Sequence, residues 1–360
     1  MKSYNKSYKV AGTIAVIGSV AALALIGINI SQRDLHQDTN LAVKIDPVIN
    51  TAFNNFVAKQ QRSFLTKSEF NARMAIFRDN YQAIQQHNAE PGSSYKLGLN
   101  DFSDRSIEEI RGIMTFIEPI DSEQDHTSEG EVKKFQSDGL LKAPQSIDWR
   151  DQGAVTQVRN QGSCGSCFSY SAASAVEGAY KVKTGKLVEF SNQQILDCSG
   201  NGNQGCRGGY MTNSFKYLQS AKLMKYDDYP YIGKAGMCKY DASKGVVGVS
   251  SYTALPANNP AALLEAVSKQ PVSIAMAATS LPFFQYKSGV LDSTACGTNL
   301  NHALLLIGYG NDATSGKDYW LVKNTWGTNW GEKGYIKIKR DNVTGPGMCG
   351  ILKMSSYPTL

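Results

Sequence analysis

The stretch Gln161-Gly-Ser-Cys164-Gly-Ser-Cys167-Phe168 sets two cysteines three apart behind a glutamine, in a small-residue loop that opens into a helix-forming run. Farther along come Asn301-His302-Ala303 and then Lys323-Asn324-Thr-Trp326-Gly. A thiol, an imidazole and an amide are the parts of a Cys-His nucleophilic site. Cys167 is the candidate nucleophile. At a helix N-terminus the macrodipole stabilises a thiolate, and a neighbouring imidazolium stabilises it further. His302 is the only histidine from Pro144 to the C-terminus, so that half of the chain offers one candidate base. Asn324 would hold the second ring nitrogen and Trp326 would roof the pair. The Gln161 amide would join the Cys167 N–H in an oxyanion hole. Each residue alone has a plainer reading: a histidine in an apolar strand start is commonly a core residue, and Cys-x-x-Cys can be a redox couple.

The elements that must position these groups follow from the rest of the chain. At 360 residues there is room for two domains, and 42% hydrophobic with 19% charged residues is a globular composition. The formal charge of +6 is dispersed, without the clustered basic patches that nucleic-acid binding needs. All seven cysteines lie between Cys164 and Cys349, and an odd count leaves one thiol free if the rest pair in an oxidising compartment. Scattered spacing and a lone histidine argue against a zinc cluster. Lys2, Lys6 and Lys9 precede an apolar run from Val10 to Ile30, so residues 1–30 read as a signal peptide, or as an uncleaved signal anchor since about twenty-one residues suffice to span a bilayer. Either way the remainder enters the secretory lumen, for a lysosome-like acidic compartment or for export.

Residues 46–114 read as a small helical unit. Asp46-Pro47 starts a helix carrying Phe53 and Phe56 on one face. A longer helix runs from about Thr66 to Asn88, where Glu69, Arg73, Phe77, Asn80, Ile84 and Asn88 share one stripe and Glu69 can pair with Arg73. Tyr95–Asn100 reads as a short strand and Ser106–Met114 as a short helix. Residues 115–142 form an acidic, exposed, cleavable linker with few apolar anchors. From Pro144 onward a small-residue helix runs from Cys167 to Gly185, and strands follow at Val272–Met276, Ala303–Tyr309, Asp318–Lys323 and Tyr335–Ile338. Helices first and strands after predict an α+β protein with a helical lobe facing a β lobe and a cleft between them.

The chain resembles the papain-like cysteine proteases, within them the cathepsin L-like group, over residues 46–360. The six-residue stripe is similar to the family's first propeptide motif at every position, and Gly98, Asn100, Phe102 and Asp104 to its second. The resemblance implies a two-lobe fold (a helical lobe and a β-barrel-like lobe) at 143–360, behind a removable inhibitory prosegment that ends near Lys142. It implies a cysteine endopeptidase made as a zymogen, acting on protein or peptide substrates as a monomer. No metal or organic cofactor is implied, and the membrane is touched only through the N-terminal segment if that stays uncleaved. Cys167 would be the nucleophile, His302 the base, Asn324 its orienter and Gln161 the oxyanion donor. The disulfides would be Cys164–Cys206, Cys198–Cys238 and Cys296–Cys349. Gly209 would pair its backbone with substrate. Met211, Ala275, Leu300, Ala303 and Met354 would line an apolar second subsite that favours Leu or Phe at P2. Phe168 departs from the family's usual Trp, and Thr325 replaces a common serine with lesser expected effect. Two other classes are a non-catalytic papain-fold binder and a thiol-disulfide oxidoreductase, the latter requiring Cys164 to pair with Cys167.

Overall fold

The computed structural model describes residues 46–114, 132–137, 143–200 and 202–360. The apolar N-terminal run and most of the acidic linker therefore lie outside the described residues, and with them the expected signal or anchor. Among the described residues no helix is long and apolar enough to cross a membrane.

Pro47 opens α1 (Pro47–Lys59), where its fixed φ suits the first turn. Helix α2 (Lys67–Ala89) is capped by Thr66, whose hydroxyl accepts from the Glu69 N–H. Phe53, Phe56, Met74 and Phe77 bury between the two helices. The expected Glu69–Arg73 pair does not form. Glu69 turns back to accept from the Leu65 N–H at 2.8 Å, while Arg73 makes two 2.6 Å bonds to the Glu109 carboxylate. A forked, charge-assisted pair outcompetes a single exposed i,i+4 contact.

The rest of the α2 stripe is a bed for the segment that follows it. Asn88 donates to the Leu97 carbonyl at 2.8 Å and accepts from its N–H at 3.0 Å. Asn80 donates to the Ser103 carbonyl and Arg73 to that of Asp104, both at 3.0 Å. These bonds fix β1 (Tyr95–Leu97), the turn after it, and α3 (Ile107–Ile113), which begins in a Ser106/Glu109 capping box.

The β lobe is built on one ten-stranded sheet, open and not closed into a barrel, as the two-lobe α+β reading expects. After β2 (Val132–Lys134) and β3 (Ile147–Asp148), the chain places β4 (Leu223–Met224) and β5 (Gly245–Val247) in a separate ribbon. The main sheet continues with β6 (Ser251–Ala254), β7 (Val272–Met276), β8 (Tyr286–Leu291), β9 (His302–Asp312), β10 (Lys317–Lys323), β11 (Tyr335–Lys339) and β12 (Ser355–Thr359). Its order is β1-β8-β11-β10-β9-β7-β12-β6-β2, with β3 on β9. The edge strands β1 and β2 do not meet, so the sheet does not close. Part of the linker is thus not free chain: residues 132–134 pair in parallel with β6, and Val132 and Phe135 pack on the hydrophobic clusters.

Strand β9 reads as a continuous apolar run because both its faces are covered. Ala303, Leu305 and Ile307 face the helical lobe, whereas Leu304, Leu306 and Tyr309 face the β-lobe core. The helical lobe is built on α4 (Cys167–Thr184) with α5 (Asn192–Cys198) and α6 (Met211–Ser220) beside it. Small residues on α4 let the sheet approach closely. Ser171 donates to the Leu304 carbonyl at 2.6 Å, and a Cβ on Gly178 would come within 2.5 Å of Pro271.

Candidate active site

The two lobes meet where α4 begins and β9 begins. Cys167 is the first residue of α4, and its sulfur lies against the backbone N–H of Ala303, which brings the start of β9 and His302 to the helix N-terminus. His302 Nε2 is 2.8 Å from Asn324 Oδ1. That oxygen also accepts from the Thr325 N–H at 2.7 Å, which fixes the amide orientation and makes Nε2 the protonated nitrogen. His302 Nδ1 then keeps its lone pair and has no hydrogen-bond partner in the structure. The Trp326 ring stacks on the imidazole at 4.7 Å and 25°. Phe283 and Trp330 stand edge-on or tilted around that indole.

Gln161 sits in the same pocket, 1% exposed. Its Nε2 donates to the Cys164 carbonyl at 3.0 Å, and its Oε1 accepts from the Thr325 hydroxyl. Its own N–H donates to the Thr325 carbonyl at 2.8 Å. One Nε2 hydrogen is thereby committed, leaving the second for a ligand. Thr325 is thus the clamp of the glutamine, a role the sequence did not suggest. The contact joins residues 164 positions apart, and a hydroxyl beside an asparagine carries no local signal.

A second group missed in the sequence lies under Asn324. Lys323 donates to Thr156 Oγ1 at 3.0 Å, and that hydroxyl donates to Glu177 at 2.6 Å. Desolvation lowers the lysine pKa and raises that of the glutamate.

Cys164 is bonded to Cys206, Cys198 to Cys238 and Cys296 to Cys349. Cys167 is the free thiol. Cys164 is therefore not paired with Cys167, as a redox couple would need. Gly209 leaves no room for a side chain, since a Cβ would fall 2.3 Å from Asn203 Oδ1. Met211, Ala275, Leu300 and Ala303 are buried in one apolar cluster, with Met354 partly buried against it. Phe168 is fully buried in the same cluster.

Burial acts on both groups of the expected thiolate–imidazolium pair. Burial pushes the Cys167 thiol up to about 11 and the His302 imidazole down to about 4, the Asn324 bond opposing the latter. Both groups are 0% exposed. Out of water, desolvation alone favours the neutral form of each group. Phe102 lies against the roof of the imidazole: its ring is edge-on to Trp326 at 4.7 Å. Asn100 holds that turn, accepting from the Phe102 N–H at 2.9 Å and donating to the Phe284 carbonyl at 2.8 Å.

Residues 143–359 match the papain family cysteine protease domain, and residues 53–110 match the cathepsin propeptide inhibitor domain. Cysteine protease XCP2 of Arabidopsis thaliana is 39% identical over 313 residues, 85% of either chain. The recombinant stem bromelain precursor superposes with a TM-score of 0.78 at 39% identity, covering 88% of this chain and 99% of that one. Digestive procathepsin L 3 of Tenebrio molitor superposes at 0.77 and 34% identity, covering 88% and 100%.

Proposed function

The chain belongs to the papain family of cysteine proteases and carries a cathepsin-type inhibitory propeptide, and on that premise we propose that it is a cysteine endopeptidase stored as a zymogen, with Cys167 and His302 as its reacting pair. The observation that carries the reading is the His302 tautomer. With Nε2–H committed to Asn324 and Nδ1 unpartnered, the imidazole presents a lone pair at the N-terminus of the helix that bears the free thiol.

Once the site is open to water, His302 takes the thiol proton and the thiolate attacks the scissile carbonyl. The carbonyl oxygen gains the electron pair and is held by the Cys167 N–H and the spare Gln161 Nε2–H. Collapse of this intermediate breaks the C–N bond, and the imidazolium gives its proton to the leaving amine. His302 then deprotonates a water that attacks the thioester, and the sulfur leaves and takes the proton back. Trp326 keeps bulk water off the imidazole face throughout.

The apolar cluster of Met211, Ala275, Leu300, Ala303 and Met354 supports a preference for an apolar P2 residue, because an Arg there would lose its hydration without gaining a carboxylate. Gly209 offers bare backbone for pairing with the substrate strand. Three disulfides suit a secretory lumen, and we propose residues 143–360 as the mature enzyme.

The test compares wild type with Cys167→Ser after brief acidification in mild reductant, on fluorogenic peptides with Leu, Phe or Arg at P2. Cleavage of the Leu and Phe peptides by wild type alone is expected. Silence from folded, processed wild type would refute the catalytic reading, and equal cleavage of the Arg peptide would refute the apolar pocket.

A further inference from the structure

We propose that Tyr231 is a positioning residue for the oxyanion hole, its one hydroxyl setting the spacing of the two chain segments that carry the donors. This rests on the catalytic reading above. Tyr231 Oη donates to the Gln161 carbonyl at 2.7 Å and lies 2.7 Å from Ser166 Oγ. Gln161 supplies the side-chain donor. Ser166 immediately precedes Cys167, whose N–H is the other donor. With the phenol proton committed to the carbonyl, the Ser166 hydroxyl donates to Oη, so the phenol oxygen is a bridge with both bonds used.

The behaviour of Ser166 marks this as a built contact. Serine at a helix N-cap ordinarily accepts from a backbone N–H in the first turn. Ser166 is the N-cap of α4, yet its side chain makes no cap bond; its only other contact is a long one, 3.4 Å to the Cys164 carbonyl. The hydroxyl is turned to Tyr231 instead. The phenol is itself anchored: its ring meets Tyr170 at 5.0 Å edge-on, and the next residue, Ile232, donates to Gln193 Oε1 at 3.0 Å. Thr325 fixes the Gln161 side chain from one direction, and Tyr231 fixes its main chain from the other. Donors aimed at an oxyanion lose effect steeply when displaced.

The experiment uses the acid-matured enzyme, as wild type, Tyr231→Phe, Ser166→Ala and the double variant. Three rates are read on each. These are hydrolysis of an apolar-P2 peptide, inhibition by a peptide aldehyde, and alkylation of Cys167 by iodoacetamide. The aldehyde adds the sulfur across its C=O and places the resulting oxygen in the hole; alkylation forms no oxyanion. Loss of one neutral hydrogen bond predicts a kcat fall of about fivefold to tenfold in Tyr231→Phe. The aldehyde Ki should rise by a similar factor, with KM and the alkylation rate within about twofold of wild type. Ser166→Ala should fall in the same direction, and the double variant should be no worse than the worse single one. A kcat within about twofold of wild type overturns the proposal. So does alkylation falling in step with kcat, which would make Tyr231 a support for the thiolate or the fold. If Tyr231→Phe does not fold, Ser166→Ala reads the same contact. Failure of the catalytic reading shows separately, as wild-type hydrolysis that is absent or survives Cys167→Ser.

Discussion

Alkylation of Cys167 should separate the closed and opened forms of this chain by at least two orders of magnitude. In the closed form burial pushes the thiol up to about 11, so near pH 7 only ~10⁻⁴ of it is the reactive thiolate. A thiol returned to water with an ordinary pKa of about 8.5–9 is ionised to about 1–3%. The α4 N-terminus and a hydrated, protonatable His302 would raise that further. The ratio of rates is therefore ~100 before any help from the imidazolium. The assay is iodoacetamide uptake by intact mass, on zymogen held near neutral pH and on acid-matured enzyme. Because the other six cysteines are in disulfides, one label per chain reports Cys167 alone. Steric cover also slows the zymogen, but it slows every pH alike, so the decisive quantity is the slope. The zymogen's log rate should climb by one unit per pH unit throughout the stable range, and the mature enzyme's should level off near neutrality. A plateau between pH 5 and 8 in intact zymogen would mean that the thiolate already exists in the closed site, and would refute the desolvation argument.

Three further outcomes follow from the same geometry. Thr325→Val should lower kcat by about tenfold through loss of the Gln161 clamp, while Thr325→Ser stays near wild type; steady-state kinetics on matured enzyme decides this. Glu109 has its carboxyl held below the ordinary range, first by the hydrogen bonds from Arg73, so its contribution to the folded prosegment is present above the unfolded carboxylate pKa and lost as pH falls through the lowered one. Glu109→Gln should therefore mature faster near neutrality and show a shallower acid dependence, read as processing on gels across a pH series. Lys323→Met should destabilise the matured enzyme by about 1–3 kcal/mol, because it removes the buried donor at the head of the Lys323–Thr156–Glu177 chain, and adding Glu177→Leu should recover part of that; urea unfolding monitors both.

The local signals in this sequence were strong wherever one short segment carried its own reason. Thr66 and Glu69 spell a helix start, Gly185 ends α4 in a left-handed cap, and β9 is apolar on both faces because both are covered. What stayed illegible were contacts in which one residue has several eligible partners. Arg73 had Glu69 four positions away, and nothing local reveals that Glu109 offers a better fork. Thr325 looked like a neutral replacement until Gln161 lay beside it. The charge state of the site was illegible for another reason. The residue types at Cys167 and His302 argue for an ion pair in an open cleft, and they carry no sign of the burial that works against both charges in the closed chain.

That last point joins the fold to the chemistry. The sheet that carries His302 and Asn324 is completed at both edges by strands that precede residue 143, β1 on β8 and β2 on β6. The same N-terminal part places Phe102 against Trp326 and bonds Asn100 to Phe284. Removing it would expose the edges of β8 and β6 and take Phe102 away from the indole that stacks on the imidazole. An uncovered edge is a liability, so the covered state is favoured by sheet pairing as well as by the Phe102 and Asn100 contacts. The two contributions differ in pH response. Main-chain pairing at β1 and β2 has no titratable group, whereas the Arg73–Glu109 pair, whose arginine also holds the Asp104 carbonyl, does. Acid therefore acts first on the Arg73–Glu109 pair, while the strands can stay paired. The expected outcome is that iodoacetamide labels Cys167 on acidification before a cut product appears on gels, and a label that appears only with the cut product would refute it.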